Sequence, residues 1–156
     1  MWDAVGASGD SLGGGPKCLV LLAQFQHTLD AKGRLILPAK FRSEFERGGH
    51  LSPNDEQCVA LWTPGEFDRR AAEMRSSEKN GGAEERRLLR YWAGQSSDAE
   101  FDKQGRFAVP PAVREYANLV DEVLIVGVLD HIELWNPDIY NQMVSSAEAI
   151  FKQGRN

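Results

Sequence analysis

Asp30-Ala31-Lys32-Gly33-Arg34-Leu35-Ile36-Leu37-Pro38-Ala39-Lys40-Phe41-Arg42 is the stretch on which the reading of this chain turns. It returns as Asp102-Lys103-Gln104-Gly105-Arg106-Phe107-Ala108-Val109-Pro110-Pro111-Ala112-Val113-Arg114. Both copies fit D-x-x-G-R-x-x-(apolar)-P-x-x-(apolar)-R, with a constant offset of 102 − 30 = 72 residues. One copy would say little, but two in a short chain mark an internal duplication. A second pair of segments keeps the same order. Leu61-Trp62-Thr63-Pro64 with Phe67 matches Leu134-Trp135-Asn136-Pro137 with Tyr140, at an offset of 73. Two repeats are too few for a solenoid, so two halves of one pseudo-symmetric domain are expected.

Working outward, Gln24 to Leu29 alternates, with Phe25, His27 and Leu29 on one face, as in a half-buried strand. Asp30 to Gly33 suits a hairpin turn: aspartate bonds back to nearby amides and glycine supplies a positive φ. Arg34–Leu37 is then the return strand. Pro38 opens a helix carrying Phe41 and Phe45, which ends at Gly48-Gly49. Cys58–Trp62 is a strand, and Pro64 opens a helix with Phe67, Ala71 and Met74. Ser76–Gly82 is a polar break, followed by a helix over Ala83–Ala93. The second half repeats the plan: a turn at Asp102–Gly105, a return strand over Arg106–Val109, and a helix from Pro111 bearing Val113 and Ala117. Val123–Leu129 reads as a strand buried on both faces, whereas its counterpart near His50–Asp55 is more polar. Ile132–Trp135 is a strand, and one last helix from Pro137 aligns Ile139, Met143, Ala147 and Ile150.

The totals narrow the function. A chain of 156 residues, 42% apolar and 26% charged, suits one soluble domain. Its apolar runs fall far short of the roughly 18 residues of a membrane span, and its start lacks a signal-peptide pattern. Cys18 and Cys58 have no paired spacing and read as free thiols in a reducing compartment. His27, His50 and His131 lie far apart with no ligand pattern, so no metal site is expected. The net charge of −5 argues against nonspecific coating of nucleic acid, but the charge is uneven. From Asp30 to Arg47, Lys32, Arg34, Lys40, Arg42 and Arg47 outnumber Asp30, Glu44 and Glu46. Between Glu115 and Tyr140 every charge is negative.

No nucleophile motif, phosphate-cradling loop or ligand-spaced His/Cys set is present. Asp30 and Asp102 could form a catalytic carboxylate pair, but their place before a turn glycine favours backbone capping. An enzyme is therefore not expected. Arg34 and Arg106 admit two readings. Each could brace its turn by pairing with its own aspartate. Each could instead present a planar fork that suits phosphates and guanine edges, with Lys32, Lys40, Arg42, Lys103 and Arg114 nearby to neutralise phosphate.

On these two D-x-x-G-R motifs and the L-W strand ends, the sequence from about Val20 onward resembles the MraZ family of bacterial transcriptional regulators. The resemblance implies an α+β fold, a duplicated AbrB-like swapped-hairpin β-barrel with peripheral helices and pseudo-two-fold symmetry. It implies a cytoplasmic, nucleoid-associated regulator, usually a repressor, without cofactor or small-molecule substrate. Such a protein binds repeated double-stranded DNA motifs upstream of the division and cell-wall gene cluster as a ring-like homo-oligomer. The motif carries over as Arg34 and Arg106 for DNA contact, with Asp30, Gly33, Asp102 and Gly105 shaping the hairpins. The expected boundaries are a tail at 1–19, a first half at 20–75, a connecting segment at 76–95 and a second half at 96–156. Val20 stands where family members begin with Met, so it is expected to be the true start, read from a GUG codon. The rival reading is an AbrB-like protein-interaction module of antitoxin type, which the lack of an extra disordered arm disfavours.

Overall fold

The computed structural model describes residues 19–154; the expected tail and the proposed start at Val20 turn on residues mostly outside that range. The strands are β1 (Gln24–Thr28), β2 (Arg34–Ile36), β3 (Gly49–Asn54), β4 (Cys58–Trp62), β5 (Ser97–Ala99), β6 (Arg106–Ala108), β7 (Glu122–Gly127) and β8 (Ile132–Trp135). The α-helices are α1 (Pro64–Asn80), α2 (Ala83–Gln95), α3 (Pro111–Tyr116), α4 (Pro137–Val144) and α5 (Ala147–Lys152), and a 3-10 helix spans Ala39–Phe45. Six strands form one antiparallel sheet in the order β1-β7-β8-β4-β3-β5, and β2 pairs with β6 in a separate ribbon. The α+β class holds. No sheet closes into a barrel among the described residues, because β1 and β5 remain the two edges of an open sheet.

The two halves are interleaved. β1 pairs with β7, matching Phe25 to Ile125, rather than with β2 across the Asp30–Gly33 turn. β2 pairs with β6, matching Leu35 to Phe107. The expected local hairpin is therefore a tight turn that hands the chain from the sheet to the ribbon. Local chemistry fixes the turn, but strand partners are set by burial across the whole chain. Leu35 and Phe107 face inward, each about 1% exposed.

Alternation along the strands splits the sheet into two covered faces. One face presents Leu51, Val59, Leu61, Val123, Ile125, Ile132 and Leu134. It packs under the ribbon, the 3-10 helix and α3, where Phe41, Phe45 and Val113 are also buried. Phe25 meets Phe41 edge-on at 5.6 Å, and Phe45 meets Phe101 at 5.8 Å, so the core joins the halves. On the other face Leu124, Trp135 and Cys58 pack with Ile139 and Tyr140 of α4. Val123–Ile125 is thus buried on both sides, but the run expected to be buried through Leu129 is only half-buried from Val126, its strand ends at Gly127 and Leu129 is exposed.

The L-W-x-P marks are helix starts. Thr63 Oγ1 accepts from the backbone N–H of Glu66, and Asn136 Oδ1 accepts from those of Asp138 and Ile139. Proline follows each cap, at a position whose N–H has no helical partner. Helix α1 continues through Ser76 to Asn80, so the break is only Gly81-Gly82. The segment after Pro38 is 3-10 rather than α. The last helix is two, divided at Ser145-Ser146. Strand β3 is buried despite its polar sequence: Ser52 accepts from the Trp62 indole at 2.9 Å. Pro53 pairs with Val59 but has no β5 partner, so its missing N–H breaks no ladder bond.

Candidate nucleic-acid interface

The two D-x-x-G-R turns share the same aspartate clasp. Asp30 Oδ1 accepts from the backbone N–H groups of Lys32 and Arg34, each at 2.9 Å. Its Oδ2 accepts from Arg34 Nε at 2.7 Å. Asp102 does the same for Gln104 and Arg106, with the same three distances. Gly33 and Gly105 have φ of +76° and +82°, the left-handed region where a side chain is strained. Hydrogen bonds to both carboxylates outweigh what little burial opposes them. The Arg34 N–H foremost holds Asp30 below the usual carboxylate range, and the Arg106 N–H does so for Asp102.

The halves clasp one another through their second arginines. Arg42 Nε donates to Leu37 O at 2.9 Å, and Arg114 Nε donates to Val109 O at 2.8 Å. A Cβ on Gly33 would lie 2.8 Å from Arg114 Cζ, and one on Gly105 2.6 Å from Arg42 Nε. Each guanidinium therefore lies over the turn glycine of the opposite half. Leu37 N–H donates to Gly105 O and Val109 N–H to Gly33 O, closing the same exchange in the backbone. The sequence reading placed Arg42 and Arg114 with the DNA-facing cations. The geometry gives both a bracing role, for which the arginine ending each repeat was the available signal.

With Leu35 and Phe107 inward, strand parity turns Arg34, Ile36, Arg106 and Ala108 outward. Arg34 is matched to Ala108 and Arg106 to Ile36. The two arginines are thus diagonal neighbours, about 7–8 Å apart by strand geometry. The bracing reading is realised, since each Nε bonds its own aspartate, and each arginine side chain stays about one-third exposed. Lys32 and Lys103 are exposed on the two turns, and Lys40 is exposed on the 3-10 helix. Among the described residues, no His, Cys, Asp and Glu side chains converge to hold a metal, and no helix is long and apolar enough to cross a membrane.

What the geometry defines is a duplicated two-turn module that presents braced arginines on one ribbon face. The chain matches the family described as "MraZ protein, putative antitoxin-like" over residues 20–91 and 93–155, and it belongs to that family. A protein of Bifidobacterium longum is 40% identical over 130 residues, covering 83% of this chain and 85% of its own. One from Paenarthrobacter aurescens is 38% identical over 125 residues, covering 80% and 87%. One from Micrococcus luteus is 35% identical over 134 residues, covering 86% and 93%. Each of the three is named "Transcriptional regulator MraZ". The family is one of regulators and not of enzymes, in agreement with the sequence reading.

Proposed function

We propose that this chain is a sequence-specific DNA-binding transcriptional regulator, acting in the cytoplasm at the nucleoid as a repressor of the division and cell-wall gene cluster. The observation that carries this is the outward ribbon face. Arg34 and Arg106 are fixed at Nε by aspartates, and among the described residues the one further side-chain partner of either guanidinium is Gln104, in a long bond to Arg106. A guanidinium fixed in this way offers a pre-oriented fork to base edges or phosphates. Lys32, Lys40 and Lys103 supply neutralising charge around the two arginines, with the outer edges of Arg42 and Arg114 beside the turns.

A single patch on a chain of net charge −5 binds weakly. A ring-like homo-oligomer gains by engaging repeated motifs at once. Val120 is 76% exposed and Phe151 77%, with Leu129, Met143 and Ile150 also uncovered, which supports burial against further copies. Footprinting on the segment upstream of this protein's own gene should show protection at short repeats, and light scattering should show a multiple of the chain mass. An unprotected segment would overturn the DNA reading. The antitoxin-type alternative, favoured by the wording of the family description, would then be tested by capture of a protein partner.

A further inference from the structure

Because backbone and aspartate clasp are the same in both turns, any difference in what they read lies in the side chains between Asp and Gly. Ala31-Lys32 in the first turn is replaced by Lys103-Gln104 in the second, so each turn keeps one lysine but only the second has a glutamine beside its glycine. Gln104 Oε1 accepts from Arg106 Nη2 in a long bond of 3.4 Å. Arg106 is therefore held on two edges, at Nε by Asp102 and at Nη2 by Gln104, whereas among the described residues Arg34 is held at Nε alone. Lys32 has only donors and can accept nothing from Arg34.

The surroundings differ in the same direction. A groove beside the ribbon is lined by Arg34, Arg106 and Ala108 together with Asp98 and Glu100. At the repeat offset those carboxylates correspond to Gln26 and Thr28, which are neutral. From Asp98 to Arg114, three cations meet three anions, whereas the first motif region is net positive. The groove is shared by both arginines, so what separates the turns is local charge: the second motif region is neutral where the first is net positive. A glutamine amide beside a fixed arginine fork instead suits base edges, where Arg gives two donors to guanine and Gln a donor and an acceptor to adenine.

We propose that Gln104 is a specificity-determining residue, which makes the second turn a reader of base edges while Lys32 makes the first turn a grip on phosphate. This rests on the DNA-binding reading above. The test is anisotropy of a labelled duplex from upstream of the gene and of a scrambled duplex, over a salt series. The proteins are wild type, Lys32→Gln, Gln104→Ala and Gln104→Lys. Gln104→Ala should reduce the preference for the native duplex about tenfold with the salt slope unchanged. Lys32→Gln should weaken both duplexes alike and reduce the slope by about one. Gln104→Lys should strengthen binding to both duplexes and erase the preference. A preference that survives Gln104→Ala, or falls only in Lys32→Gln, overturns the assignment and leaves DNA binding standing. A wild type that binds neither duplex overturns both.

Discussion

Each turn depends on one aspartate, one glycine and two arginines from opposite halves. Gly33→Ala and Gly105→Ala place a Cβ at positive φ and push the covering guanidinium off its carbonyl. Each should cost about 1–2 kcal/mol in denaturant unfolding; an unchanged midpoint would show that the left-handed turn is dispensable. The two outward arginines should not contribute equally. Arg34 lies in the net-positive motif region, and the charges around Arg106 cancel, so Arg34→Ala should weaken DNA binding more than Arg106→Ala. Equal losses would contradict this. At this scale the geometry of the turns was largely legible, because the aspartate, glycine and first arginine act within five residues of sequence. The clasp of Arg42 over Gly105 was not, because it joins groups that only the fold brings together.

Among the elements, the docking of α1 and α2 shows how aromatic residues seat a helical pair. Phe67 of α1 stacks on His50 of β3 at 4.3 Å and on Trp92 of α2 at 5.1 Å. Nearby, His131 links the start of β8 to the sheet face under α1. Its ring stacks on Trp62 at 4.7 Å, and its nitrogens lie 2.7 Å from Asp130 and 2.9 Å from Glu133. With a carboxylate at each nitrogen, both must carry protons for both contacts to be hydrogen bonds. Burial works against the charged ring, but the bonds to Glu133 and Asp130 outweigh it and raise its pKa. Burial likewise opposes ionisation of Glu133, but His131, Trp135 and Asn54 as donors outweigh it and lower its pKa. The histidine's contribution is complete below its unfolded value, about 6.5, and is lost as pH rises through the folded value. The stability advantage of wild type over His131→Gln should therefore shrink as pH rises above about 6.5. An advantage independent of pH would rule the clamp out. The glutamate's contribution runs the other way, present above the ordinary carboxylate range and lost on acidification. Helix starts were legible here because Thr63-Pro64 and Asn136-Pro137 act locally. The partners of β1 and β2 were not, because a turn that favours a hairpin does not decide which strands pair.

Across the whole molecule, duplication in sequence has become interleaving in space. Neither half forms its own sheet: β1 lies against β7, β4 against β8, and β3 against β5. The ribbon takes one strand from each half, which brings Arg34 and Arg106 onto one outward face although they lie 106 − 34 = 72 residues apart. The repeat made the equivalence of the two turns legible; it did not show that they share a ribbon, which depends on Leu35 and Phe107 filling one core. The central claim is that this shared face binds DNA. Its most direct test is fluorescence anisotropy on a labelled fragment from upstream of the protein's own gene, comparing wild type with Arg34→Ala plus Arg106→Ala at several salt concentrations. The account predicts tight wild-type binding that weakens steeply with salt and is lost in a double variant that remains folded and assembled. Binding with no preference over scrambled DNA, or undiminished in the double variant, would contradict it and leave the arginines as braces of their turns alone.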